Sequence, residues 1–521
     1  MTVGDTIERN ARLFPERTAF VCDGRKTTFR SFNTRVNKLA NALVAAGLRR
    51  GERLALVLPT SLELLEVYGA CEKLGLVAVP LNTRLSPREI AEILVDSEPA
   101  GLVYDARLAE IVPPHDRRVE SIRWTACVCS GLSRPEDVLE YESIVQAGAS
   151  RNPPAGVDSE DVVYMYYTSG TTGRPKGVLQ THRSALNNAR RVLIDLEVRS
   201  DDVVVGSSPL YHIGGRSMTF NYFYRGCTVH ILSKFDPDRY LELAERERAT
   251  MLLTVPTTMK LLLDSSARKK VDLRSVRAMF YSGAPAAAPV LQAVSEWLGD
   301  VLQQVYGMSE TGPAITVLRR EDHAKAIAER NERRLLSCGR PCLDVDVRVV
   351  DESGRDCGPG EAGEVLVRSD SLMAGYWRLP ELTAQALRDG WFFTGDVGSW
   401  DEEGYLYLVD RKKDMIVSGS ENIYPREVEN VLYQHPSIAD VAVVGVPDER
   451  WGETVLAVVV PRPGKEISEA EIIDFCRGRL ASYKKPNRVE FVSELPVNSI
   501  GKIDKKTLRE RYWRGHVRMI N

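Results

Sequence analysis

FRSFNTRVNKLANALVAAG, residues 29–47, and the LALVLP that follows at residues 54–59 decide the reading of the fold. In the first segment Phe32, Val36, Leu39 and Leu43 recur at the spacing that gathers apolar side chains on one helical face, and Gly47 supplies a residue that ends helices. The second segment is short, continuous and apolar, the pattern of a strand buried on both faces. LELLEVYGACEKLG, residues 62–75, repeats the helical pattern, and LVAVPL, residues 76–81, repeats the strand. Alternation of this kind marks the crossover units of a parallel sheet, so the first half is expected to be α/β.

Working outward, the alternation returns at residues 278–306, whereas residues 344–408 hold short runs separated by Gly, Pro and Asp and predict a small antiparallel or barrel-like section. DRKKDMIVSGSENIYPREVE, residues 410–429, opens on five consecutive charged residues and reads as a hinge. Beyond it, helix PREVENVLYQH, strands VAVVGVP and VLAVVVP, a helix opened by the capping box Ser468 and Glu471, and strand VEFV predict a small α+β module. The expected division is a large N-terminal domain, 1–410, and a small, mobile C-terminal lid, 411–521.

At 521 residues the chain exceeds what one core usually organises, in agreement with several domains. A formal net charge of -3 with 27% charged residues gives no general attraction to nucleic acid or to an anionic membrane, so any polyanion must meet a local site. The nine cysteines are odd in number and show no paired CxxC spacing, which favours a reducing compartment over a disulfide framework. MTVGDTIERNARLF lacks the layout of a signal peptide, no apolar run is long enough to span a bilayer, and RMIN is no recognised targeting signal. A cytoplasmic protein is expected.

YTSGTTGRPKGV, residues 167–178, is either a polar linker or a loop that wraps phosphate. It is not a Walker loop, since counting from Gly170 places Pro175 where the second glycine belongs. Gly170, Gly173 and Gly177 allow close backbone approach, Thr168, Ser169, Thr171 and Thr172 offer hydroxyl and amide donors, and Lys176 offers a charge.

Together with PLYHIGG, VYGMSETG, WFFTGDVG, DRKKDMIVSGSENIYPREVE and PVNSIGKIDKKTL in that order, this loop resembles the acyl-adenylate-forming superfamily, whose members include acyl-CoA synthetases, adenylation domains and luciferases. The resemblance spans nearly the whole chain. It implies an AMP-forming ligase in which a carboxylate attacks the α-phosphorus of Mg-ATP, releasing pyrophosphate, and a thiol then displaces AMP. Thr168, Ser169, Gly170, Thr171, Thr172, Gly173 and Lys176 would hold the β and γ phosphates. Tyr306 would lie against adenine with Gly307 and Met308 beside it, Ser309 stands where a Thr is usual near the α-phosphate, and Glu310 resembles the magnesium-associated carboxylate. Asp396 and Arg411 would bind ribose, Gly283 and Ala284 would line the adenine or acyl side, and His212 would stand beside the substrate carboxylate. Lys502 resembles the lysine that bridges α-phosphate and acyl carboxylate, Lys413 the hinge residue, and Gly419 and Trp451 the positions that approach pantetheine.

His212 follows Tyr211 where amino-acid-activating relatives usually carry an Asp nearby, and no carrier domain follows Lys502, so coenzyme A is the expected acceptor. The expected cofactors are therefore ATP, Mg²⁺ and coenzyme A, and the expected partners are these small molecules and a carboxylic acid, with room left for a homodimer. Residues 221–224, 282–285 and 307–308 would shape a pocket for an aromatic or medium to long aliphatic acid. A ligase that loads a carrier protein and a non-catalytic nucleotide-binding protein on the same fold remain as alternatives.

Overall fold

The computed structural model describes the chain apart from residues 115–118, 130, 155, 169–174, 285, 412–413, 419–420, 449–450, 478, 498–502 and 515–521, with backbone alone at 409–411, 417 and 421–422. The first predicted helix runs Phe29–Ala45; at its start the Thr28 hydroxyl accepts from the Ser31 amide at 3.1 Å, and just past its end Gly47 takes φ +80°. The second, Leu62–Leu74, is buried along its whole length against Val3–Leu13 and Phe29–Ala45. It still carries charges, and each has partners. Glu66 meets Arg35 at 2.6 Å and the Tyr141 hydroxyl at 2.8 Å, while the Lys73 ammonium donates to Asn33, Asn37 and Asn152 at 2.6, 2.7 and 2.8 Å. Burial of such a helix is tolerable because its charged heads are paired or, at Lys73, hydrogen-bonded by three amide oxygens, although burial still pulls the Lys73 pKa down to about 8.

The described chain forms two compact units, residues 1–347 with 367–392, and residues 348–366 with 393–521. The larger unit holds two sheets. One is nine-stranded, and its six central strands, Leu302–Met308, Ala278–Ser282, Met251–Thr254, Val203–Gly206, Thr228–Ile231 and Thr18–Cys22, run parallel. The other is eight-stranded, with Val162–Thr168, Val77–Pro80, Arg53–Val57, Gly101–Asp105, Trp124–Val128 and Leu139–Glu140 parallel, and with Lys176–Thr181 and Gly375–Tyr376 added antiparallel. The alternation read from residues 29–81 and 278–306 is thus that of two parallel-cored α/β sheets.

In the smaller unit the long hairpin Ile438–Asp448 and Gly452–Pro461 is flanked by Ile416–Ser418 and, in parallel, by Arg488–Phe491. Val441 and Val443 face a cluster with Val428, Leu432 and Ile472, while the intervening Ala442 and Val444 face Leu495 and Leu508. Alternation across the strand therefore buries both sides, which is why VAVVGV has no polar period. The Ser468 capping box forms as read: the Ser468 amide donates to Glu471 at 2.8 Å and the Glu471 amide to the Ser468 hydroxyl at 3.3 Å. Trp391–Trp400 and Leu406–Arg411, from the section of short strands, pair antiparallel, and the Asp401 carboxylate closes their turn by accepting from the Glu403 and Tyr405 amides at 3.0 and 2.9 Å. No disulfide is present among the described residues. No described helix is long and apolar enough to cross a membrane.

Candidate active site

Parallel strands present their carboxyl ends along one edge, where α/β proteins collect ligand loops. In the nine-stranded sheet the ends of Val203–Gly206, Ala278–Ser282 and Leu302–Met308 lead into His212, Gly283 and Glu310 respectively. His212 is half-buried at the start of helix Ile213–Arg225, with its ring 4.7 Å from that of Tyr211. Gly215 lets this turn close, because a Cβ there would come within 2.2 Å of the Pro209 carbonyl oxygen. Gly283 takes φ +85° with open space around it, so that glycine serves backbone conformation. Ser282 pairs with Val305, which sets Gly283 and Ala284 beside Tyr306.

Residues 308–312 make the turn that carries Ser309 and Glu310. The Thr311 hydroxyl donates to the Met308 carbonyl and accepts from its amide, both at 3.3 Å. At Gly307 a Cβ would stand 2.4 Å from the Pro313 carbonyl, so close approach demands glycine. Glu310 is held twice from residues 371–377: Met373 donates its amide to the Glu310 carbonyl at 2.7 Å, and the Tyr376 hydroxyl donates to Glu310 Oε1 at 3.2 Å. Burial, and next the Glu310 charge, push the Tyr376 phenol pKa up, which keeps it a proton donor.

Of the phosphate loop, Thr168 and Lys176 are described. They end and begin two paired strands and are register partners. The Lys176 ammonium lies 5.3 Å from the Tyr376 ring centroid. Ser169, Gly170, Thr171, Thr172 and Gly173 lie outside the described residues, as do Lys413, Gly419 and Lys502. In the larger unit the structure therefore brings Thr168 and Lys176 toward Glu310 through Tyr376, a residue that the sequence reading did not single out.

In the smaller unit Asp396 is buried and is the register partner of Arg411. Its amide donates to the Thr394 hydroxyl at 3.0 Å. Trp451 is exposed and precedes Gly452, which pairs with Ser418. The flanks of the two positions read as approaching pantetheine are thus adjacent.

The acyl-pocket reading of residues 221–224 needs correction. Phe223 packs on Phe20, Phe29 and Phe32 with centroids 5.1, 5.2 and 5.6 Å away, and the Phe223 carbonyl accepts from Asn10 at 2.6 Å. Tyr224 lies under the Arg9 guanidinium, 4.4 Å from its centroid. Phe223 belongs to the core beneath the N-terminal helix, and the half-buried Tyr224 is covered by that helix's Arg9. A cavity of about 160 Å³ is lined by Gly51, Arg53, Gly75, Val77 and Asp161 at the strand beginnings and, on its other side, by Leu179 and Trp377.

Among the described residues no group of three His, Cys, Asp or Glu side chains could cage a metal ion. The single carboxylate of Glu310 fits Mg²⁺, which keeps waters and draws further ligands from phosphates.

Residues 7–377 match the family described as AMP-binding enzyme, and residues 427–502 match the AMP-binding enzyme C-terminal domain. The chain is 40% identical over 509 residues to a feruloyl-CoA synthase of an Amycolatopsis species, covering 97% of this chain and 98% of that protein. It is 34% identical over 515 residues to a long-chain-fatty-acid–CoA ligase of Mycobacterium tuberculosis, covering 98% of each. The solved o-succinylbenzoate CoA synthetase of Bacillus subtilis, in complex with its acyl-adenylate intermediate, superposes with a TM-score of 0.85 at 31% identity, covering 96% of this chain and 97% of that one. The chain belongs to the AMP-binding enzyme family, in its acyl-CoA synthetase branch. Its activity class is that of the AMP-forming acid–thiol ligases.

Proposed function

We propose that this enzyme joins a hydrophobic, preferably aromatic, carboxylic acid to coenzyme A in two steps. The carboxylate oxygen attacks the α-phosphorus of ATP and the bond to pyrophosphate breaks; the coenzyme A sulfur then attacks the acyl carbon and the bond to AMP breaks. The observation that carries this reading is the tie of Lys176 and Glu310 to one side chain, Tyr376, beside the hairpin that begins at Thr168. The aromatic preference is supported by the relative at 40% identity, named for feruloyl-CoA.

In this reading Thr168, Lys176 and the loop 169–173 hold the leaving phosphates, while Glu310 would hold Mg²⁺, which supplies charge neutralisation for the phosphates. Tyr306, Gly307, Met308 and Ser309, with Gly283 and Ala284, receive adenine and the α-phosphate, and Asp396 and Arg411 receive ribose. His212 orients the acid without removing a proton, because a carboxylate is already ionised at neutral pH. Lys502 bridges phosphate and acyl group during adenylation. Gly419 and Trp451 admit pantetheine afterwards, and residues 411–521 turn about Lys413 between the two steps.

A panel of aromatic and aliphatic acids assayed for pyrophosphate release, then for acyl-CoA, tests the reading. Aromatic acids should lead the panel. Lys502→Ala should abolish pyrophosphate release while supplied acyl-AMP is still converted by coenzyme A. Acyl-AMP that accumulates untouched when coenzyme A is added would refute the proposed acceptor.

A further inference from the structure

We infer that Tyr376 is a positioning residue that holds the Glu310 carboxylate and the Lys176 ammonium in one orientation for the magnesium–ATP polyphosphate, an inference that rests on the roles proposed above for those two residues. The phenol oxygen donates to Glu310 Oε1 at 3.2 Å, and the ring offers its face to Lys176 Nζ at 5.3 Å from the centroid, inside the reach of a cation–π contact. One side chain thus touches an anion through its hydroxyl and a cation through its ring. These two groups are far apart in sequence and stand on different sheets, so without such a link only backbone contacts would set the orientation of the two side chains.

Tyr376 can do this because its own backbone is fixed from both directions. On the phosphate-loop side, Tyr376 and Gly375 pair with Val178 and Leu179, the Ala374 amide donates to the Leu179 carbonyl and the Trp377 amide to the Gly177 carbonyl, both at 2.8 Å. The Tyr376 amide itself donates to the Thr383 hydroxyl at 2.9 Å. Gly375 takes φ +147°, and a Cβ there would stand 2.9 Å from Thr383 Cγ2, so glycine is what lets the chain pass this close. On the Glu310 side, the Ser371 hydroxyl donates to the Thr311 carbonyl at 2.8 Å and the Met373 amide to the Glu310 carbonyl at 2.7 Å. Ser371 is in turn braced by the buried Arg191, which donates to its hydroxyl and to the Ala314 carbonyl, each at 3.0 Å. Residues 371–377 form a staple between the two halves of the polyphosphate site, and Tyr376 is the part of the staple that reaches the charges.

A partner behind a metal-binding carboxylate commonly contributes tenfold or more in metal affinity by fixing its orientation. The two contacts of Tyr376 separate by substitution: Tyr376→Phe keeps the ring under Lys176 and loses the donor to Glu310, whereas Tyr376→Leu loses both. ATP affinity should be measured by calorimetry across a range of Mg²⁺ concentrations, and AMP affinity without Mg²⁺, with Glu310→Gln as reference. Tyr376→Phe should raise the Mg²⁺ concentration at half-effect about tenfold. Tyr376→Leu should add about a threefold loss of ATP affinity even at saturating Mg²⁺, the scale of one exposed cation–π contact. AMP affinity should stay unchanged in both, since AMP lacks the phosphates in question. If Glu310→Gln shifts the Mg²⁺ curve and Tyr376→Phe does not, Tyr376 has no positioning role although the metal assignment stands. If Glu310→Gln leaves the curve unmoved, the metal role of Glu310 falls and the role of Tyr376 falls with it. Equal losses for AMP and ATP in the Phe variant would mean that Tyr376 only supports the fold, and would also overturn the inference.

Discussion

Two ion pairs, one in each compact unit, are built from the same groups and set in different surroundings. In the larger unit Arg216 meets Glu72 with side chains 6% and 2% exposed; Tyr164 donates to the same carboxylate at 2.6 Å, and the rings of Tyr68 and Phe220 stand 4.8 and 5.2 Å from the guanidinium. In the smaller unit Arg509 meets Asp414 at 2.6 Å with both side chains 14% exposed. A pair sealed among rings cannot exchange a lost partner for water, while a pair that keeps some solvent access can. The contrast separates a pair that water cannot rescue from one that it can.

The largest effect should come from breaking the sealed pair. Glu72→Leu strands the Arg216 charge and leaves the Tyr164 hydroxyl without this acceptor, and should cost about 3–5 kcal/mol in urea unfolding. Adding Arg216→Met should recover much of the loss, because the pair is then replaced by apolar volume. A loss below about 1 kcal/mol for Glu72→Leu alone would erase the distinction between the two pairs.

Protons sharpen the same contrast at a second level. Burial pushes His182 and His323 of the larger unit down to about 4. Both are held neutral: His182 Nδ1 accepts from the Val3 amide at 3.1 Å, and His323 stands 2.9 Å from both the Tyr281 hydroxyl and the Arg319 carbonyl. Since the folded pKa is depressed, the stability each contributes is complete above about pH 6.5, its unfolded value, and is lost as pH falls toward 4. At pH 5 each should have cost about 2 kcal/mol, so His182→Gln and His323→Gln should flatten the fall in unfolding free energy between pH 6.5 and 5. Identical slopes in variant and parent would mean that these rings accept protons without unfolding.

The smallest effect belongs to the more open pair. Asp414→Asn should cost about 1 kcal/mol and shrink further in high salt. A salt-insensitive loss as large as that of Glu72→Leu would show that partial exposure is no guide here.

Much of the scaffold was legible, because period and punctuation are local. Phe32, Val36, Leu39 and Leu43 announced a helix that Thr28 and Gly47 bound, and Ser468 with Glu471 announced another. Candidate site residues could be named where they sit in compact motifs, as Thr168, Lys176, Glu310 and Asp396 do. Tyr376 was not, since its meaning lies in contacts to Glu310 and Lys176 made from a strand of two residues, too short to leave a period. Phe223 was misread for a related reason: an aromatic run has the same composition whether it lines a pocket or stacks on Phe20. The compact division also escapes a linear reading, because residues 348–366 group with 393–521 across an intervening stretch, whereas a run of charges marks only one point along the chain.

The turn closed by Asp401 acts as a ruler. Trp400 pairs with Leu406 at one end of the two strands and Asp396 with Arg411 at the other. The count of residues around Asp401, together with the one-residue register shift between Val397 and Gly398, therefore decides which position stands opposite Asp396. Inserting a single residue there would leave every side chain of the site chemically intact, yet would offset the partners by one step and turn the following strand over. Homologous sequences should consequently vary in the letters of this turn other than Asp401 and Gly404, which takes φ +78°, and hardly at all in its length.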